Sequence, residues 1–188
     1  MLRRDYLKAM LKGSVLVSTG MSANLFAGGI NPAITTEGQV VPTTLWVGRH
    51  GRQSMIDYST TEGLNAISWY LRDTHANQIG VPHTRLLQLM SWMQAWLAAY
   101  GYHVRFDIHS GLRTRATNNN TENASRTSYH LPDGQNVFRA VDFSTHSIPS
   151  NYLGQLGKYA NQGGVGFYPN AQFTHVDTGP TGRTWVRR

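Results

Sequence analysis

The chain has 188 residues, of which 40% are hydrophobic and 14% are charged; this excludes a disordered protein and favours one compact domain, since the length is short for two. It contains no cysteine, which excludes disulfide frameworks, iron–sulfur clusters and cysteine nucleophiles, so that any metal must be held by His, Asp or Glu. The formal net charge of +7 favours an anionic partner and leaves nucleic acid, bacterial cell wall and acidic lipid open.

Residues 1–27 resemble a twin-arginine export signal. Arg3 and Arg4 are followed by the aromatic residue Tyr6, by Lys8 and then by a modestly apolar stretch that glycines and polar residues interrupt. This order is typical of an address that the export machinery reads on proteins that are already folded. The alternative is an amphipathic first helix with its basic residues in water. A stable membrane span is not expected, because no stretch approaches about 20 uninterrupted apolar residues.

Residues 28–42 are predicted to be a linker, and residues 43–188 to form a single domain. Residues 44–47 are predicted to form its first strand, and residues 59–62 to open its first helix with a capping sequence. The apolar residues that share one face of this helix are Leu64, Ile67 and Leu71.

The clearest predicted helix follows Pro82 and ends at Gly101, a residue that commonly terminates helices. Its apolar residues recur at spacings of three and four; they are Leu86, Met90, Met93, Leu97 and Tyr100. Alternating apolar and polar residues then predict a strand over residues 102–108.

The second half begins with a loop rich in Asn, Thr and Arg over residues 114–127. Strands are predicted over residues 138–143, 165–168 and 173–177, and a helix over residues 150–160. Two helices early in the chain and interleaved strands later favour an α+β fold with a small, mostly antiparallel sheet and helices packed on one side.

Three polar residues lie at strand or strand-end positions late in the chain: His130, Asp142 and His175. Two imidazoles and one carboxylate suit zinc, and three protein ligands leave a fourth position for water, as in catalytic sites. Their spacing matches no short local metal motif, so the residue types alone leave a zinc site and ordinary structural roles both open.

Several blocks of sequence surround these residues in a fixed order. They are Ser110-Gly111-Leu112-Arg113-Thr114, Ser128-Tyr129-His130, Arg139-Ala140-Val141-Asp142, residues 164–169, and residues 173–180 with Arg183 and Trp185. The set resembles the YcbK-like murein endopeptidases of the LAS zinc peptidases, a group that includes lysostaphin-type enzymes and D-Ala-D-Ala carboxypeptidases. The likeness covers about residues 55–187, nearly the whole predicted domain.

The resemblance implies that His130, Asp142 and His175 bind one Zn²⁺ and that Arg113 faces the scissile carbonyl. Zinc lowers the pKa of a bound water to about 7 and polarises the carbonyl, while a fixed guanidinium stabilises the developing negative charge. Ser128 stands where the family keeps a serine, and it is expected to contact substrate or to support the ligands.

Two features depart from the family pattern. Residues 131–137 look like an insertion and are predicted to form a hairpin tip beside the site. The positions where many relatives carry a general base are Phe173 and Gln172, which cannot accept a proton. Asp177, two residues after His175 on the same strand face, is the candidate instead, either for proton transfer or for orienting His175, and the orienting role is favoured.

The sequence therefore predicts an exported, periplasmic zinc metallopeptidase that hydrolyses peptide cross-links of peptidoglycan as a monomer. One alternative is a non-catalytic cell-wall binding module on the same fold. Another is a nucleic-acid binder, suggested by Arg-rich stretches with interleaved Tyr and Trp. The predicted export signal and the single Lys158 beyond residue 27 argue against nucleic acid.

Overall fold

Nine strands and four helices follow one another along residues 41–122 and 124–187, the residues that the computed structural model describes. The strands are β1 Thr44–Arg49, β2 Arg52–Asp57, β3 Val81–Pro82, β4 Phe106–Ser110, β5 Val137–Phe138, β6 Ala140–Ser144, β7 Val165–Tyr168, β8 Phe173–Asp177 and β9 Thr184–Val186. The helices are α1 Thr61–Tyr70, α2 Thr84–Ala99, α3 Arg115–Asn119 and α4 Ser150–Ala160. The predicted signal, residues 1–27, and residues 28–40 of the predicted linker lie outside the described residues.

Seven strands form one mixed sheet in the order β2-β1-β4-β6-β8-β7-β9, and β3 pairs separately with β5. Within the large sheet β1 runs parallel to β4, and β7 runs parallel to β9. The other neighbouring pairs are antiparallel. The predicted α+β class with a mostly antiparallel sheet is confirmed.

Helices α1, α2 and α4 pack on one face of this sheet and close a single hydrophobic core. The predicted apolar face of α2 is buried, from Leu86 to Leu97, and its two tryptophans are buried as well. The rings of Trp92 and of Tyr159 on α4 stack with centroids 6.3 Å apart, so aromatic contacts join α2 to α4. No helix within the described residues is long and apolar enough to cross a membrane.

The opposite face of the sheet carries the polar side chains of β6 and β8. On these strands Val141, Phe143 and Val176 belong to the core. Successive strand residues point to opposite faces, so Asp142 and His175 lie on the face away from the helices. The antiparallel register pairs Asp142 directly with His175, which brings two polar residues 33 positions apart into contact.

Strand β2 has no sequence signal that predicted it. Only Ile56 is buried among its residues, and a strand with one buried residue shows no apolar alternation. It forms because His50 and Gly51, with φ of 50° and 77°, make a two-residue turn that folds β2 back on β1.

The strand predicted over residues 102–108 begins four residues later, at Phe106. The Gln94 side chain of α2 takes the place of a neighbouring strand there: its amide nitrogen donates to the carbonyl oxygens of Val104, at 3.0 Å, and Trp46, at 2.6 Å. The backbone before β4 is thus satisfied by a side chain, and it needs no strand pairing.

The strand predicted over residues 138–143 is divided at Arg139, because β5 pairs with β3 whereas β6 joins the large sheet. The hairpin predicted at residues 131–137 is wrong, because β5 runs parallel to β3 rather than pairing with a preceding strand. Asp133 instead organises a local turn, since its carboxylate accepts hydrogen bonds from the backbone nitrogens of Gln135 and Val137.

Candidate functional site

Three side chains from three different segments meet on the polar face of the sheet. His130 lies in the loop before β5, Asp142 on β6 and His175 on β8. His130 Nε2 lies 3.2 Å from Asp142 Oδ1 and 3.1 Å from His175 Nδ1, and His175 Nδ1 lies 2.8 Å from Asp142 Oδ1. All three residues are buried, and within residues 41–122 and 124–187 they are the group whose donor atoms could hold a metal ion.

The far nitrogen of each imidazole has its own partner, which fixes the ring. His130 Nδ1 lies 2.5 Å from the carbonyl oxygen of Gly111, and His175 Nε2 lies 3.1 Å from Asp177 Oδ2. Because both partners accept hydrogen bonds, each of these nitrogens carries the proton in the neutral ring. The lone pairs of His130 Nε2 and His175 Nδ1 are therefore left facing Asp142 Oδ1.

This donor set fits zinc. Ligand atoms about 2.0–2.1 Å from a tetrahedral ion lie about 3.3 Å from one another, close to the three separations observed here. Two imidazole nitrogens and a carboxylate oxygen are borderline and hard ligands that zinc accepts, and hydrogen bonds to the far imidazole nitrogens are typical of metal-binding histidines.

The charges at the site are set by burial and by close partners. Burial lowers the pKa of His130, and together with the charge of Arg113 it outweighs the opposing effect of Asp142, which keeps the ring neutral. Burial raises the pKa of Asp142, but the neighbouring His130 and His175 outweigh it and hold that pKa well below its usual value. A neutral imidazole and an ionised carboxylate are the states that metal binding requires.

The pKa of His175 is raised. Burial lowers it, but the hydrogen bonds to Asp142 and Asp177 outweigh burial. A proton and a metal ion would compete for Nδ1 of this ring, so the affinity of this group for a metal would fall as the solution becomes more acidic.

Arg113 holds the outer oxygen of Asp142. Its Nη2 donates to Asp142 Oδ2, and its Nε donates to the Ser110 hydroxyl at 2.8 Å. Its side chain is 15% exposed and lines the cleft above the three ligand atoms. The predicted carbonyl-binding arginine is therefore also the partner of a candidate ligand. Ser110 and Gly111 belong to the same sequence block, but the sequence predicts no role for the Ser110 hydroxyl or the Gly111 carbonyl.

Asp177 is the most heavily bonded side chain of the site. Its Oδ2 accepts from His175, and its Oδ1 accepts from the backbone nitrogens of Gly164, at 3.0 Å, and Gly179, at 2.8 Å, and from Arg183 Nη2 at 2.5 Å. Burial raises its pKa, but the hydrogen bond and the charge of His175 outweigh burial and the net pKa is lowered. This carboxylate is ionised and its oxygens are already engaged.

Ser128 lies on the wall of the cleft, and its hydroxyl accepts a hydrogen bond from the backbone nitrogen of His130 at 3.3 Å. The cleft has a volume of about 340 Å³, and Tyr168, Trp185 and Arg187 line its other side. A larger polar hollow of about 720 Å³ lies at α3 and contains none of the three ligands. The three candidate ligands therefore lie in the smaller cleft.

Comparison with known proteins identifies the family. The peptidase M15 family described as peptidoglycan L,D-endopeptidase MepK matches residues 53–185, well over half of the chain. The chain belongs to this family. The predicted resemblance is confirmed, and the three candidate ligands, Arg113 and Asp177 all lie inside the region that matches the MepK family.

Two relatives from the MepK family show the extent of the likeness. Peptidoglycan L,D-endopeptidase MepK of Escherichia coli K12 is 33% identical over 128 residues, which are 66% of this chain and 65% of that protein. Probable peptidoglycan L,D-endopeptidase MepK of Haemophilus influenzae is 29% identical over 126 residues, 65% of this chain and 63% of that protein. The match thus spans slightly less than two thirds of the length of these curated relatives. No solved structure matches the chain significantly.

Proposed function

We propose that the protein is a zinc metallopeptidase that hydrolyses peptide cross-links of peptidoglycan. The observation that carries the proposal is the set of donor atoms His130 Nε2, Asp142 Oδ1 and His175 Nδ1, which face one another at 2.8–3.2 Å with both rings fixed from behind. Membership of the MepK family supports the substrate class, since relatives in that family are named peptidoglycan L,D-endopeptidases.

In this proposal the chain holds the metal and shapes the surrounding charge. Bound zinc supplies a Lewis acid for an amide carbonyl and a nucleophile from water near neutral pH. His130 and His175 would bind as neutral rings and Asp142 as an anion, so that a zinc ion and its three ligands together would carry a net charge of +1. Arg113, anchored to Asp142 and Ser110, presents its guanidinium to the carbonyl oxygen on which negative charge develops.

Asp177 acts in this proposal as a positioning residue. It accepts a hydrogen bond from the N–H at His175 Nε2 and so keeps Nδ1 in the unprotonated state that a ligand needs. An ionised carboxylate whose oxygens already accept hydrogen bonds from two backbone amides and Arg183 is poorly placed to carry a proton to a leaving amine. Ser128, on the cleft wall beside His130, is the proposed substrate contact.

Digestion of isolated sacculi tests the proposal. Zinc-loaded protein is expected to release cross-link fragments, identified by mass; a chelator should stop the release and added Zn²⁺ should restore it. The masses also show which peptide bond is cut. Fragment release that is unchanged by the chelator would contradict a metal-dependent reaction, and no release by fully zinc-loaded protein would contradict the peptidase proposal.

A non-catalytic cell-wall binding module is the second candidate, and one observation favours it. Among the described cleft residues, the two carboxylates and the two imidazoles all have partners already, so none is an independent proton acceptor. Binding of the protein to sacculi without release of fragments would support this candidate.

Export by the twin-arginine route to the periplasm completes the proposal, and it is supported by Arg3 and Arg4 in their sequence context. Replacing both arginines with lysine keeps the charge and is expected to leave precursor in the cytoplasm. Fractionation with blotting checks this, and an unchanged periplasmic yield would contradict it. We also propose that the protein is active as a monomer. Its molar mass in solution, measured by light scattering of the purified protein, tests this.

A further inference from the structure

Arg183 is held at the edge of the cleft by three contacts. Its Nη2 donates to Asp177 Oδ1 at 2.5 Å, its Nε donates to the carbonyl oxygen of Pro180 at 2.9 Å, and its Cζ lies 4.8 Å from the centroid of the Tyr129 ring. The side chain is still 37% exposed. A long, flexible cation that lines the cleft is thus fixed, and its open edge is the Nη1 side, which these contacts leave unused.

Two glycines make room for this arginine. A Cβ at Gly164 would lie 2.8 Å from Arg183 Nη2, and a Cβ at Gly179 would lie 2.7 Å from the same nitrogen and 2.4 Å from Cζ of Tyr129. Because side chains at these positions would push the guanidinium away, the glycines allow it to stack on Tyr129 and to reach Asp177 together. Because the guanidinium is already ordered, ligand binding loses less conformational entropy.

Some N–H donors of the Arg183 guanidinium are not used by the part of the protein that the structure describes. Within residues 41–122 and 124–187 its bonds use Nε and one donor position on Nη2, and Nη1 has no protein acceptor. A guanidinium binds a carboxylate through two parallel hydrogen bonds when two of its nitrogens are accessible on one edge. The open edge of Arg183 therefore matches a carboxylate better than it matches a neutral amide.

The surroundings favour an anion as well. Three arginines line the cleft, Arg113, Arg183 and Arg187, against two carboxylates, Asp142 and Asp177, which pair with Arg113 and Arg183. The indole of Trp185 covers Gly166, its Nε1 donates to the Tyr168 hydroxyl at 3.1 Å, and its ring centroid lies 5.0 Å from that of His175. An aromatic wall beside a fixed cation suits a peptide whose side chain ends in a carboxylate.

We propose that Arg183 binds a free carboxylate on the substrate residue next to the scissile bond and thereby selects acidic cross-link peptides over amidated ones. The placement follows from the contact chain Arg183–Asp177–His175, which puts the guanidinium two hydrogen bonds from a candidate metal ligand. The inference rests on the proposed function, because it assigns the substrate preference of the same cleft.

Two matched peptides test it. They share one cross-link sequence and differ in a single group, a free carboxylate or a carboxamide on the residue beside the scissile bond. A second pair with a ketomethylene group in place of the scissile amide allows binding to be measured by calorimetry on zinc-loaded protein, without turnover. Wild-type protein is expected to bind the carboxylate form about 10-fold or more tightly, the size of one charge-assisted hydrogen bond.

The matched variants are Arg183→Gln and Arg52→Gln. Arg183→Gln, assayed in excess zinc, is expected to bring the ratio of the two dissociation constants to about one. Arg52→Gln removes the same charge from β2, at the far edge of the sheet, and should leave the ratio at the wild-type value. If Arg183→Gln fails to fold, Arg183→Lys replaces it. A guanidinium can bind Asp177 and a substrate carboxylate at the same time through its planar set of donors, whereas an ammonium cannot, so the ratio of the two dissociation constants should fall severalfold.

The outcomes separate this inference from the proposed function. A wild-type ratio near one would overturn it. So would an Arg183→Gln variant that weakens both peptides equally, because the arginine would then serve only to hold Asp177, or an Arg183→Lys variant with an unchanged ratio. A preserved carboxylate preference with no cleavage of the amide-linked pair would contradict the peptidase proposal and leave the assignment of Arg183 standing.

Discussion

Two arginine–aspartate pairs occupy the same face of the sheet, and they differ in what the aspartate does for His175. Asp142, paired with Arg113, directs its Oδ1 to His175 Nδ1. Asp177, paired with Arg183, directs its Oδ2 to Nε2 on the other side of the same ring. One carboxylate therefore stands among the candidate ligand atoms, and the other sets which ring nitrogen carries the proton.

The hydrogen-bond partners of the two aspartates explain this difference. Both oxygens of Asp142 meet side chains, which leaves Oδ1 among the nitrogen lone pairs of the site. Asp177 Oδ1 also accepts from the backbone nitrogens of Gly164 and Gly179, which fix it away from the ligand atoms. Two aspartates on the same face thus fit different roles, a candidate ligand and a group that positions His175, because their oxygens contact different atoms.

Removal of Asp142 is expected to have the largest effect. Asp142→Ala removes one of the three proposed ligands and should lower zinc affinity by more than the 10- to 100-fold typical of losing a supporting group, with activity lost in parallel. His130→Ala should behave in the same way. Zinc content by mass spectrometry after dialysis checks this, with Asp133→Ala as the control, since Asp133 pairs with Arg139 at the surface. Full zinc occupancy in both ligand variants would refute the ligand set.

Arg113 comes next, because in the proposed function it supplies charge to the reaction, and it also holds Asp142. Arg113→Ala in excess zinc should lower kcat by about 10²- to 10³-fold, the usual loss for a donor to a developing oxyanion. Arg113→Lys should recover little, since one ammonium cannot replace the fork between Ser110 and Asp142. A kcat within a few-fold of wild type at full zinc occupancy would limit Arg113 to holding its aspartate.

Asp177→Asn is expected to have a smaller effect that added zinc reverses. Loss of the orienting carboxylate should weaken zinc affinity or activity about 10- to 100-fold, and excess zinc should restore much of the rate. A group that transfers protons would instead cost about 10²- to 10⁴-fold in kcat with zinc retained. Titration of activity with zinc separates the two, and a folded, fully loaded variant without detectable cleavage would show that the orienting role is wrong.

The last prediction concerns stability, and it is expected to be the smallest effect. It involves Asp73, a third buried carboxylate, which is held by backbone amides and not by an arginine. Asp73 accepts from the nitrogens of His75, Ala76 and Thr114. Burial raises its pKa, but the hydrogen bonds from Thr117 and Thr114 outweigh burial and lower the pKa from 3.8 to about 2. Ionised Asp73 therefore stabilises the fold above about pH 4, and this stability is lost as the pH falls toward 2.

The shift at Asp73 corresponds to about 2 kcal/mol at neutral pH. Urea unfolding of wild type and Asp73→Asn should differ by that free energy at pH 7, and the difference should shrink near pH 2. A difference that stays constant with pH would show that the ionisation of Asp73 is not its cause.

Local patterns in the sequence were enough to predict most elements and the faces they bury. The spacing of apolar residues in α2 and the limits of α4, β7 and β8 follow from periodicity that does not depend on distant partners. Strand alternation on β8 also places His175 and Asp177 on one face. The family resemblance, carried by ordered blocks around His130, Asp142 and His175, implies the same three candidate ligands without reference to their contacts.

The tertiary structure decided what those patterns leave open. Strand β2 and the late start of β4 depend on a turn and on the Gln94 side chain, which pairs with backbone far away in sequence. The role that fits Asp177 depends on Gly164, Gly179 and Arg183, because hydrogen bonds between segments are set only when the sheet assembles. Sequence by itself determined which side chains can carry the chemistry, and the packed fold decided which oxygen of each carboxylate is free to use.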